Sequence, residues 1–366
     1  MKIVKRKGLF LMVALLVIMS IFTACGASQT EESSTNETQA TNVTKELEPH
    51  SMGIVSKIAP NYDPDFDLTG KKIIFITKMG SHPFFIAMKD GAQIEAQRLG
   101  ITCEFMAAID GQDMNEQGIL IENAISQHPD AICYTVADSK AMSTIFKKAN
   151  DAGIKIITLD ARCDDDALAE AGAHIDAYVG SNNYEGGKIA GEYIADLFMN
   201  DPDNVVEIAV VDGPPGNEST FARTEGFKEG ILKNPKLKIV AIQAANSDIN
   251  LGMTVTQNMI QANPNIKAIW GCNDLITLGA LEGLRSANKL GQVVLVGLDG
   301  LDEAIQAVRD GDMTADVAQA PRGMGVTAID IAYNMITDPN YTLPDLINYT
   351  TMEVIDSSNV EGFIGL

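Results

Sequence analysis

Apolar runs rich in β-forming side chains recur along the chain, each followed by polar residues and then by a stripe with helical spacing. The first half carries Ile73–Ile76, Ile101–Met106, Ala131–Tyr134 and Ile154–Leu159. The second carries Val205–Val211, Leu237–Ile242, Ile266–Trp270 and Val293–Val296. Their starts lie roughly 25–33 residues apart, the size of a strand–helix–strand unit. Runs without alternation are what strands buried on both faces look like. Two series of such units predict an α/β protein of two doubly wound, Rossmann-like parallel-sheet lobes with right-handed crossovers, joined through Ala177–Gly180. The first unit shows the pattern in full. After Ile73–Ile76 comes a loop with Gly80, Ser81 and His82; Pro83 then opens a helix. Phe85, Met88, Ala92, Ala96 and Leu99 form its buried stripe, and Gly100 ends it. His82 and Phe84 lie off that stripe, where strand gives way to helix and open α/β sheets hold their ligands.

The residues that end the runs would project from the carboxyl edges of the sheets: Thr135 and Asp160, then Asp212, Asn246-Ser247-Asp248, Asn273-Asp274 and Asp299. Any of them could simply cap a helix, and Asp138 and Asp274, each just ahead of a helix, are read that way. Asp160 and Asp299 are read differently. Both follow a wholly apolar strand in matching contexts, Thr158-Leu159-Asp160 and Gly297-Leu298-Asp299. Carboxylates on two facing edges predict a cleft suited to hydroxyl donors. Trp270, the only Trp, lies inside a run and is read as core.

Ahead of the pattern, residues 1–24 join a basic head (Lys2, Lys5, Arg6, Lys7) to an uncharged apolar core from Leu9 to Phe22, a secretory signal rather short for a membrane span. Thr23-Ala24-Cys25-Gly26 resembles the bacterial lipoprotein box, which implies lipid on Cys25; Phe22 replaces the more usual Leu, and an ordinary cleaved signal is the alternative. Residues 25–69 are read as the lipidated N-terminus and a flexible tether, since 27–49 are nearly devoid of large apolar side chains. A soluble domain held just outside a membrane follows, at a cell surface or in a periplasm.

The chain has 366 residues and a formal net charge of −22, and removal of the basic head makes it more acidic still. No Lys/Arg-rich run follows the signal, which excludes nucleic acid as a partner. Cys103, Cys133, Cys163 and Cys272 show neither CxxC spacing nor His pairing, so free buried thiols are expected and a metal site is not. No nucleophile elbow and no dinucleotide glycine motif after a strand is present, so neither an enzyme nor a cofactor is expected. Asp63–Asp67 lacks the glycine and distal acid of a calcium loop, and Asn182–Lys188 lacks the first Gly and the Ser/Thr of a phosphate loop.

From Lys71 to the C-terminus the sequence resembles the type I periplasmic sugar-binding proteins, most closely their ribose-binding group. The resemblance rests on His82-Pro83-Phe84-Phe85 with Lys89-Asp90-Gly91-Ala92, on Ile157–Asp160 and on Gly186–Gly191. Arg223 ahead of Gly226-Phe227, Asn273-Asp274 with Leu278-Gly279-Ala280, and Val296–Gly300 complete it. It implies a type I periplasmic binding protein fold with a three-crossover hinge. Lobe one would comprise 70–181 plus 320–348, and lobe two 182–319 plus 349–366. It also implies a monomer that passes its ligand to an ABC permease in the membrane.

Carried over position by position, the resemblance implies a pocket of His82, Phe84, Phe85, Thr135 and Asp160 from lobe one, with Arg223, Asn273, Asp299 and Gln319 from lobe two and the hinge. The chemistry suits a monosaccharide or polyol: flat rings for a C–H face, carboxylates for hydroxyls, and a guanidinium fork to donate and balance charge. Ala161 stands where the ribose-type pattern has Arg after the aspartate, with Arg162 one residue later, and Ser247 replaces a second-lobe aromatic. A ligand other than ribose is therefore expected, such as a hexose or inositol. The alternative is a receptor of the same fold presenting ligand to a sensor kinase, chemoreceptor or quorum system. A repressor of this fold would need a basic helix-turn-helix where the lipoprotein box and tether stand.

Overall fold

The computed structural model describes residues 55, 57–109, 111, 113–215 and 217–363; the expected signal, the Cys25 lipid site and most of the tether lie outside the described residues. Strands and helices alternate as the apolar pattern requires. In chain order the first lobe runs β1 (Lys72–Thr77), α1 (Pro83–Leu99), β2 (Thr102–Ala107), α2 (Met114–Ser126), β3 (Ala131–Thr135), α3 (Ser143–Asp151), β4 (Lys155–Leu159), α4 (Asp165–Ala171) and β5 (Ala177–Gly180). The second runs α5 (Asn183–Leu197), β6 (Val206–Asp212), α6 (Glu218–Gly230), β7 (Leu237–Ala244), α7 (Ile249–Ala262), β8 (Ala268–Gly271), α8 (Asp274–Ser286), β9 (Val294–Asp299), α9 (Asp302–Arg309) and β10 (Ala315–Ala318). α10 (Pro321–Thr337) and β11 (Ile347–Tyr349) return to lobe one, and β12 (Glu353–Asp356) completes lobe two.

The sheet orders are β11-β5-β4-β3-β1-β2 and β12-β10-β9-β8-β6-β7. The chain therefore passes between lobes three times: after β5, after β10 and after β11. In each lobe the first strand sits inside the sheet and the second at its edge. β1 is buried nearly throughout, whereas β2 alternates between half-buried and exposed positions. β12 pairs antiparallel with β10, so the second sheet is mixed rather than wholly parallel. Cys103 and Cys133 lie on β2 and β3, on either side of β1, and all four described cysteines are free.

The described part of the expected tether is not loose chain. Ile58 is 1 % exposed, the Asn61 amide donates to Asn334 Oδ1 at 2.7 Å, and the Tyr62 and Tyr333 ring centroids lie 6.5 Å apart. From residue 57 the chain packs on α10, because Ile58 and Tyr62 supply apolar surface that the polar 27–49 stretch lacks. Trp270 is fully buried and stacks on Phe227, with centroids 4.4 Å apart and planes 4° apart. Helices α5 and α6 touch backbone to backbone: a Cβ on Gly187 would lie 1.8 Å from the Arg223 carbonyl oxygen. Only glycine permits that approach, and it sets the depth at which α6 carries Arg223.

Candidate functional site

A cavity of about 270 Å³ opens between the carboxyl edges of the two sheets, with walls from both lobes. In lobe one, His82 caps α1: its Nδ1 accepts from the Phe84 amide at 3.2 Å. With Nδ1 accepting, the ring proton of neutral His82 sits on Nε2. Burial holds the imidazole below its ordinary value of 6.5, against the pull of Asp299 and Asp160, while Lys78 reinforces the depression. Phe84 and Phe85 meet edge to face, centroids 5.4 Å apart, and give the cavity its aromatic floor.

Asp160 directly follows β4 with φ +70, an αL conformation few non-glycine residues adopt. Its Oδ2 accepts from Lys78 Nζ at 2.7 Å, in a pair with side chains only 16 % and 11 % exposed. The ammonium also donates to the Val136 carbonyl at 3.2 Å and lies 5.1 Å from the Phe85 ring centroid. Asp299 ends β9 with φ +151, so both carboxylates sit in strained backbone at the cavity. Arg223 NH1 donates to Asp299 Oδ1 at 3.0 Å and to the Cys272 carbonyl at 2.9 Å, while its Nε donates to Asn183 Oδ1 at 2.8 Å. Gln319 Nε2 donates to the same Asp299 oxygen at 2.6 Å. Asn273 caps α8 through Oδ1 and donates from Nδ2 to Ser247 Oγ at 2.8 Å. The turn at Asn246 and Ser247, φ +52 and +56, presents that hydroxyl.

Of the residues expected to line the pocket, His82, Phe84, Phe85, Asp160, Arg223, Asn273, Asp299 and Gln319 converge on this cavity. Thr135 is not brought to its wall. It is fully buried, and its Oγ1 accepts from the Lys78 amide at 2.5 Å, so it supports the residue that does reach the cavity. Asp274, read as a helix cap, is not one. Asn273 does the capping, and the buried Asp274 Oδ2 accepts from the Leu301 amide at 2.7 Å.

Lys78 is the charged cavity-lining side chain that sequence reading missed. It directly follows β1, as Asp160 directly follows β4. It supplies the lobe-one cation that Ala161 does not, whereas Arg162 lines a different cavity.

Two α/β lobes linked by three crossings, with facing charged and aromatic groups in the cleft between them, define a two-lobed solute-binding protein. The chain belongs to the periplasmic binding protein domain family, whose model matches residues 73–339. It is 33 % identical over 256 residues to the D-allose-binding periplasmic protein of Escherichia coli (strain K12), covering 70 % of this chain and 81 % of that one. It is 32 % identical over 257 residues to a ribose import binding protein of Bacillus subtilis (strain 168), covering 70 % and 78 %. The crystal structure of an ABC transporter periplasmic solute-binding protein from Actinobacillus succinogenes 130z, with bound D-allose, superposes with a TM-score of 0.75 at 31 % identity. It covers 80 % of this chain and all of that one.

Proposed function

We propose that this chain is an extracytoplasmic solute-binding protein that captures a neutral monosaccharide or polyol between its lobes and delivers it to an ABC importer, without chemical turnover. The carrying observation is the pairing within the cavity: Lys78 with Asp160 from one lobe, Arg223 with Asp299 from the other. Each carboxylate arrives with its own cation, so a guest need bring no charge, only hydroxyls. Phe84 offers a face to ring C–H groups, His82 Nε2 a donor, and Asn273 both a donor and an acceptor. Asn273 and Ser247 make the lobe-two wall polar where an aromatic would stack, which favours a guest with hydroxyls on that side.

A charge-assisted hydrogen bond nets about 1.5–3 kcal/mol, and a few of them, less the cost of closing the lobes, reach the roughly −8 kcal/mol of micromolar affinity. Closure follows from contact with both lobes at once, which shifts an open–closed equilibrium. The protein acts as a monomer, held to the membrane by lipid on Cys25. Calorimetry against D-allose, D-ribose, other monosaccharides and inositol is expected to find micromolar binding of at least one. Silence across the panel contradicts the sugar reading. Mass spectrometry of the mature N-terminus tests the anchor, since an unmodified residue there would exclude it.

A further inference from the structure

A second cavity, of about 190 Å³, lies at the lobe crossings and shares no lining residue with the cleft. Lobe one contributes Arg162, Tyr178 and Tyr349, lobe two contributes Glu218, and the first crossing contributes Ser181, leading into Asn183. Among the described residues Arg162 has one ion pair, a 3.5 Å contact to exposed Asp165, and Glu218 has none. Glu218 is solvent-exposed where it borders this space; partial desolvation raises its carboxyl above the ordinary value and Arg162 draws it back.

Two walls are also the supports of the cleft. The Tyr178 hydroxyl donates to the Asp160 carbonyl at 2.9 Å, and Asn183 Oδ1 holds Arg223 Nε at 2.8 Å.

We propose that this hinge cavity binds a small zwitterion, an α-amino acid with a short side chain. Its carboxylate would take the Arg162 fork and its ammonium the Glu218 carboxylate. Because its walls come from both lobes, the filled cavity favours the same lobe arrangement that encloses the cleft. Zwitterion and cleft ligand therefore strengthen each other's binding reciprocally.

The test is calorimetry of the full chain with L-serine as the probe and no sugar present. Saturable binding is expected, weakened at least about tenfold by Arg162→Gln and by Glu218→Gln, each removing one charge-assisted contact, and unmoved by Phe84→Ala. No saturable binding at millimolar L-serine overturns the proposal, as does equal binding of glycerol. Binding lost in Phe84→Ala but kept in both hinge variants also overturns it, because serine would then sit in the cleft. A second arm, severalfold tighter D-allose binding in the presence of L-serine, rests on the sugar reading. Serine binding with every sugar silent would break that reading and leave the hinge site standing.

Discussion

The two sides of the cleft solve one problem with different stiffness. In lobe two, Asp299 is held by Arg223 and Gln319, and the guanidinium is held in turn by three acceptors, two of them outside the ligand cavity. In lobe one, Asp160 meets a single lysine on a flexible stem that leans over Phe85. A planar fork with fixed partners is preorganised, whereas an ammonium can swing toward a guest. Lobe two thus offers a rigid template, and lobe one an aromatic floor with an adjustable cation.

Breaking the stiff side is expected to cost most. Asp299→Ala leaves Arg223 charged and unpaired at 5 % exposure. Stability falls by about 3–5 kcal/mol and sugar binding disappears, as denaturant titration and calorimetry would show. Lys78→Met keeps the stem over Phe85 and removes one charge-assisted contact, so affinity falls about tenfold. Its stability loss stays below that of Asp299→Ala, because the Asp160 carboxylate it strands has more access to water, 11 % against 6 % for the Arg223 side chain. Equal losses in the two variants would erase the distinction between the lobes.

The smallest effect concerns the bed under Asp299. A Cβ on Gly297 would lie 2.7 Å from Asp274 Oδ1 and 2.4 Å from Asp316 Oδ2, so these two buried carboxyls crowd one spot beneath β9. Burial lifts Asp274 well above the usual carboxylate range and Asp316 from 3.8 to about 6. Folded Asp316 thus keeps a proton, beside protonated Asp274, at pH values where the unfolded chain has released it. Its stabilising contribution is complete below 3.8 and is lost as pH rises through about 6. Between about pH 5 and 7 the wild type should lose about 1–2 kcal/mol more stability than Asp316→Asn. Parallel pH profiles would contradict a buried Asp316 that gives up its proton near pH 6.

The strands β1 to β9 were legible because each carries an apolar run, buried almost throughout in β1 and β3 and only half-buried in the edge strands β2 and β7. β10 was not: it is four residues long and carries Asp316 at its second position, so a carboxyl interrupts the apolar signal. β11, three residues long, is shorter than a period-2 pattern needs, and β12 carries carboxyls at both ends of a four-residue strand. In the cleft, Asp160 and Asp299 stood out because each ends a run. Lys78 did not, because a lysine after a strand reads as solvated until Asp160, 82 residues away, is folded against it. Thr135 obeyed the same end-of-run rule yet turned inward, because the Lys78 amide needed an acceptor there.

The most direct test of the two-sided grip is a crystal structure of the full chain with the sugar or polyol that calorimetry selects. One ligand molecule is expected to bridge the Asp160 and Asp299 carboxylates, with its C–H face on Phe84. A ligand bound to one lobe alone, or lodged outside the cavity, would contradict it.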